Sequence, residues 1–163
     1  TKGASSCSVF NGNYCDEYVG RRTYGYGYYS SDGVIYNGGS NTGSYTSFST
    51  GTIICVAVDL DNNKLYFRRN DNAWENSGDP TSGSTGTGAI SITAASSTDT
   101  GFYFPALSDG SNSGTATFST NFGNGYFGTT AVSSAGTNAS NIGIFEYDVP
   151  TGYTAWSTKG LNL

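Results

Sequence analysis

The 163-residue chain has no histidine and no methionine, only three cysteines and three prolines, and just seven lysines and arginines. Without histidine, Ser-His-Asp and Cys-His nucleophile systems are excluded, as is any metal site that uses imidazole. The cysteines Cys7, Cys15 and Cys55 show no Cys-x-x-Cys spacing for zinc, and their odd number leaves at least one thiol unpaired. Cys7 and Cys15 are placed to join across a short turn at Asn11-Gly12, while Cys55 reads as a small buried apolar residue. Nucleic-acid binding rests on clustered positive charge, and the net charge here is −5. The only basic pairs, Arg21-Arg22 and Arg68-Arg69, read as solvated strand or loop, so no nucleic-acid partner is expected. No apolar run approaches the ~20 residues of a membrane span, which excludes insertion as a helix.

Acid–base chemistry is equally thin. Glycoside hydrolysis needs paired carboxylates, and the three glutamates, Glu17, Glu75 and Glu146, fall in no recognisable pattern. A residual hydrolase reading would rest on Glu75. Asp59, Asp61 and Asn63 alternate as early EF-hand ligands do, but the required Gly and the closing Glu are missing. A hairpin turn solvated by its own side chains explains them better. The sequence therefore predicts a protein that is not an enzyme, with no metal and no cofactor.

What is present is glycine, tyrosine and small polar residues. Leu, Ile, Val and Phe together number 28, a share low enough to raise the question of disorder. Thirteen tyrosines and two tryptophans answer it, because aromatic side chains bury about 150–250 Å² each and replace the missing aliphatics. The 24 glycines suit many tight turns, and the frequent Gly, Ser, Thr and Asn prevent any long helix. The length fits one domain over residues 1–163. The expected class is all-β, in antiparallel sheets.

The clearest element is a hairpin. Ile53 to Val58 is a β-branched run, Asp59-Leu60-Asp61-Asn62-Asn63 supplies turn chemistry, and Lys64 to Arg69 resumes as a strand. Leu65 and Phe67 share one face and Lys64, Tyr66 and Arg68 the other, which predicts one dry face with Val56 and Phe67 in a common interior. Upstream, Tyr24, Tyr26 and Tyr28 alternate with glycine. The preferred reading is a tyrosine ladder packed on a neighbouring strand whose backbone approaches at the glycines; the alternative is an exposed platform for a sugar ring. Val34-Ile35-Tyr36 is a short strand, and residues 37–47 read as a loop.

Residues 71–88 contain Trp74 and Pro80 among Gly, Ser, Thr and Asn. Loops of that length without secondary structure are usually functional, so this is the first candidate for a binding loop. Ile90 and Ile92 alternate as a strand, with 95–100 a polar turn. Further strands are expected at 102–104, 116–122 and 142–147, with Tyr126-Phe127 capping the core and Tyr153 and Trp156 anchoring an extended tail.

The hairpin also carries a resemblance. Val-Ala-Val-Asp-Leu-Asp (56–61), a turn, then Lys-Leu-Tyr-Phe (64–67) and Asn70 resembles the central hairpin of SPRY domains, although Asp71 stands where that family usually has Gly. Gly101-Phe102-Tyr103-Phe104-Pro105-Ala106-Leu107 is similar to the family's Phe-Pro-Ala strand, and Thr115 to Gly123 to its late strand ending Asn-Phe-Gly. The closing Val149-Pro150-Thr151-Gly152-Tyr153-Thr154-Ala155-Trp156-Ser157-Thr158 resembles the tail of SPRY domains in tailed-phage structural proteins. The matches run from about Tyr24 to the C-terminus.

The resemblance implies a two-sheet, concanavalin-like jelly roll and a virion-surface, extracellular setting. The family's opening Gly-Lys-x-Tyr-x-Glu strand has no match here. Either the chain is the C-terminal part of a longer polypeptide, or a partner subunit or earlier domain donates that strand, so a homo-oligomer is expected. The leading functional expectation is adhesion to a host glycan or other cell-surface receptor through Tyr36, Tyr45, Asn70, Trp74 and Tyr126. Rings that stack on sugars beside amides and hydroxyls are what such recognition requires. The alternative is a structural decoration or fibre subunit that contacts other copies or other virion proteins.

Overall fold

The computed structural model describes residues 18–109 and 116–157. The proposed Cys7–Cys15 link and the turn at Asn11-Gly12 lie outside the described residues. Eight short strands are present among the described residues: β1 (Tyr26–Tyr28), β2 (Val34–Asn37), β3 (Ser40–Ser44), β4 (Ile54–Asp59), β5 (Lys64–Arg69), β6 (Ile90–Ser91), β7 (Tyr126–Phe127) and β8 (Thr130–Ala131). They form two three-stranded sheets, ordered β1-β2-β3 and β4-β5-β6, and a separate β7-β8 hairpin. Every strand pairing is antiparallel, and no α-helix occurs among the described residues.

The central hairpin forms as its residues dictate. β4 and β5 pair without a break from Ile54↔Arg69 to Asp59↔Lys64. The turn is closed by its own side chains: Asp59 accepts hydrogen bonds from the Asn62 N–H (2.9 Å) and amide (2.8 Å). Asn63 takes a positive φ of 56°, a conformation asparagine tolerates. The EF-hand-like alternation is thus a self-capped turn.

Both faces of β5 are covered, which corrects the expectation of one dry face. On one side Leu65 and Phe67 join Ile35 and Ile92 in the core, with Tyr26, Tyr28, Tyr45, Ile54, Val58, Ile90 and Tyr103 packed against it. Rings of both three-stranded sheets meet here, for example Tyr28 and Phe67 at 5.4 Å between centroids. On the other side Tyr66 is 2 % exposed and Arg68 is 8 % exposed. Arg68 is therefore not a solvated strand residue. Its Nη2 donates to the Asp148 carbonyl (3.0 Å), and its guanidinium lies 5.1 Å from the Trp74 ring and 5.7 Å from the Tyr147 ring. Asp71 supplies a distant ionic partner (3.5 Å), and Nε is left without a hydrogen bond. The sequence pattern placed Arg68 correctly on the Tyr66 face but could not show that the following segment folds back over it.

That segment, residues 71–88, is ordered by local bonds. Short 3-10 turns span Glu75–Ser77 and Pro80–Thr85. Asp79 caps the second, accepting from the Thr81 N–H (2.8 Å) and hydroxyl (2.6 Å). Trp74 meets Tyr66 edge-on, Pro80 is buried, and Tyr153 donates to the Pro80 carbonyl (3.0 Å). Tyr153 is thus an anchor of the tail, while Trp156 is 42 % exposed.

The tyrosine ladder is structural. Tyr26 packs on Tyr103, and Tyr28 on Tyr45, Phe48 and Phe67. Gly27 lies against the Val19 carbonyl, which leaves no room for a Cβ. The approaching backbone is a turn rather than a strand. Residues 37–47 are not a loop: Asn37-Gly38-Gly39-Ser40 makes a two-residue hairpin, with φ of 61° and 77° at the glycines, and β3 follows.

Three predicted strands are absent. Residues 102–104 and 116–122 carry no strand, and 142–147 contributes only an isolated bridge between Ile144 and Asn124. Of 102–104, Tyr103 packs against the core and donates to the Thr93 carbonyl at 2.8 Å, while Phe102 is 51 % exposed. Tyr126 is also exposed, so the Tyr126-Phe127 pair does not cap the core as a unit. Alternation alone cannot supply a neighbour for the backbone bonds.

Val56 stands directly opposite Phe67 yet is 45 % exposed, because β4 has a sheet neighbour on one side only. The expectation of a common interior for the two is corrected accordingly. Phe67→Ala is expected to cost about 3–5 kcal/mol and Val56→Ala less than about 1 kcal/mol. Urea denaturation of both variants measures this; equal losses would contradict the packing described.

Candidate functional site

The five residues expected to bind ligand do not form one site. Tyr36 lies on the outward face of β2, where its ring meets Tyr18 (5.1 Å) and Tyr29 (6.1 Å) edge-on. Asn70 adopts a positive φ of 50° and closes the mouth of the central hairpin. Its N–H donates to the Ile53 carbonyl (2.7 Å) and its side-chain oxygen accepts from the Ile53 N–H (2.9 Å). Trp74 is occupied by Arg68 and Tyr66. Tyr126 sits on the β7-β8 hairpin. Each of these rings and amides has its own structural setting.

Tyr45 is different, because it borders a cleft. An opening of about 340 Å³ lies between the outer edge of one sheet and the outer edge of the other. One wall is Thr42, Gly43 and Ser44 of β3 with Tyr45; the opposite wall is Ala89, Ile90 and Ser91. Ile35 and Asn76 complete the lining. No charged residue lines it, although Lys64 donates to the Ser91 hydroxyl at 3.0 Å. The cleft volume falls in the range of small-molecule sites.

The local chemistry explains the shape. A bulge between Ile35 and Tyr36 shifts the β2-β3 register, and Thr42 donates its hydroxyl to the Ile35 carbonyl at 3.1 Å. Asn76 projects from residues 71–88 with a φ of 56°. Glu75 holds that segment in place: it accepts from Arg69 Nε at 2.7 Å and from the Thr46 N–H at 3.3 Å. Its carboxylate side chain is 9 % exposed. Glu75 is thus a fastener between the cleft wall and β5. Arg69 is half of that fastener, not a solvated surface residue.

Tyr28 beneath the cleft has its phenol pushed up to about 12, first by burial and then by the nearby Glu75 charge. Burial and Glu75 likewise raise Tyr45. Both rings therefore stay neutral donors at physiological pH. A second cleft, of about 320 Å³, is lined by Asp71, Glu146 and Asp148 with Tyr147 and the small residues 133–136. Its carboxylates are used internally: Glu146 accepts from the Ser133 N–H (2.7 Å) and Asp148 from the Thr137 N–H (2.6 Å).

No protein-family model, curated protein or solved structure matches the chain.

Sequence reasoning named Tyr45 and pointed to residues 71–88, but it missed Thr42, Ser44 and Ser91. The signal for β3 was the Gly38-Gly39 pair, a strong hairpin dipeptide. Nothing in sequence could announce that β3 would face β6.

Two expectations follow. Asn70→Ala should lose about 1–3 kcal/mol, because it combines a lost hydrogen bond with a left-handed backbone, and Asn70→Gly less. Thermal unfolding ranks them; a reversed order would show the side chain free instead. Acid sensitivity is the second. Burial opposes ionisation of Asp59, but bonds from Asn62 and Asp61 and the Lys64 charge outweigh it and lower its pKa. Hydrogen bonds from Thr81 lower Asp79, and those from Thr137 lower Asp148. The folded chain favours the charged form of all three. Their stabilisation is complete above the ordinary aspartate value of about 3.9 and is lost as pH falls through the lower native values. Urea midpoints should therefore fall below about pH 4, and a flat profile there would contradict these bonds.

Proposed function

We propose that the chain is a non-enzymatic adhesion module of a virion surface, built as a concanavalin-like sandwich of SPRY type, that binds a neutral host glycan in the cleft at Tyr45. The lining of that cleft carries the reading. Thr42, Ser44, Asn76 and Ser91 offer hydroxyls and an amide, Tyr45 offers a ring, and no carboxylate or ammonium lines it. Sugars are held by such a mixture, with hydroxyl partners fixing orientation and an apolar ring against the sugar's C–H face. A ligand of net charge would meet no counter-charge among these side chains. The extracellular, virion-surface setting is supported by the resemblance of the central hairpin and the tail, not by the cleft.

Recognition also fits how the structure uses its aromatics. Tyr26, Tyr28, Tyr66, Phe67 and Tyr103 are engaged in packing, so selectivity falls to residues at the cleft rim. A second reading, a structural decoration or fibre subunit that touches other copies or other virion proteins, is favoured by the exposed Val56 on the outer strand of its sheet.

A glycan array separates the two. The wild-type chain should retain neutral oligosaccharides and ignore acidic ones. Asn76→Gly keeps the left-handed backbone but removes the amide, and should weaken binding about tenfold. Ser44→Trp should fill the cleft and abolish binding, with circular dichroism confirming the fold. A wild-type chain that retains no glycan, or retention unaffected by Ser44→Trp, would leave the structural reading in its place.

A further inference from the structure

β4 is an edge strand, paired on one side only, with β5. In the β4-β5 ladder the Asn70 N–H bonds the Ile53 carbonyl, so by alternation residues 55, 57 and 59 face β5 with their backbone groups. The N–H and C=O groups of Ile54, Val56 and Val58 therefore point away from β5. Among the described residues none of them has a hydrogen-bond partner. The strand is six residues long, pairs in unbroken register, and contains no proline, lysine or bulge of the kind that blunts exposed edges. Val56, at its middle, is 45 % exposed.

We propose that two copies of this chain associate through antiparallel pairing of β4 with β4 about a two-fold axis at Val56. The edge is its own complement in this register. Val56 faces Val56 of the second copy, and Ile54 faces Val58, so the three outward residues meet each other and exchange about six backbone hydrogen bonds. Cys55 falls opposite Ala57, a small residue. Asp59, the only charge on the strand, falls opposite Ile53. The two Asp59 carboxylates lie roughly 20 Å apart at opposite ends of the pairing, so like charges do not meet. A shift by one residue would bring inward-bonded groups to the seam and lose the hydrogen bonds. The other three edges of the two three-stranded sheets are poorer: β1 has three residues, β6 has two, and β3 lines the cleft. The result is a continuous six-stranded sheet, ordered β6-β5-β4-β4-β5-β6. This pairing does not depend on the glycan reading, because β4 lines no part of the cleft.

The contact is small, so association should be a concentration-dependent equilibrium. Sedimentation equilibrium of the full chain across a concentration series is expected to show a reversible dimer. Val56→Lys and Val56→Glu should each be monomeric at concentrations where the wild type dimerises. An equimolar mixture of the two should dimerise again, since the introduced ammonium and carboxylate become direct partners across the axis. Wild type that stays monomeric throughout, single variants that still dimerise, or a mixture that does not recover would each overturn the proposal. Amide hydrogen exchange on the wild type needs no substitution. Protection at Ile54, Val56 and Val58 should rise with protein concentration, and protection that is independent of concentration would also overturn it.

Discussion

The structure depends on burying β5 from both sides. Leu65 and Phe67 close one interior and Tyr66 and Arg68 a second, within a strand of six residues. A cationic side chain on such a strand needs a carbonyl and ring faces to replace water, since desolvating it uncompensated is costly. Asp148, Trp74 and Tyr147 supply them. That requirement ties residues distant in sequence to one point: the segment after β5 must fold back to bring Trp74, and the chain near 147–148 must run alongside.

From this constraint the rest of the arrangement follows. The fold-back brings Glu75 against Arg69 and Thr46, which fixes residues 71–88 against the stretch leaving β3. The fixed segment then presents Asn76 to the space between the two sheet edges. The cleft is thus a by-product of covering the second face of β5. Its polar lining reflects composition, because β3 is made of serine, asparagine, threonine and glycine and β6 contributes Ser91.

Aromatic side chains carry most of this architecture. With few aliphatics available, Tyr26, Tyr28, Tyr45 and Tyr103 fill the gap between the sheets, and the hydroxyls of Tyr26, Tyr28 and Tyr103 find partners at the margin. Tyr28 donates to the Thr46 carbonyl in this way. The same residue type that sequence reasoning treats as a recognition surface is here chiefly a packing element. Tyrosine serves both purposes because its ring is apolar and its tip is polar. Sequence pattern cannot divide the two uses at Tyr36, Tyr45 and Tyr126.

By itself the sequence determined the antiparallel β character, the β4-β5 hairpin to within a residue, its self-capped turn at Asp59–Asn63, the inward packing of Tyr26 and Tyr28 and the β6 position of Ile90. These are local matters: β-branched runs, alternation and turn chemistry act between residues near one another in the chain. Tertiary structure alone decided that Arg68 is buried, that Val56 is exposed, that Glu75 is a fastener, and that 102–104, 116–122 and 142–147 form no strands. Those outcomes depend on which distant segment arrives to cover a face or to complete a backbone ladder, and alternation specifies a face without naming its neighbour.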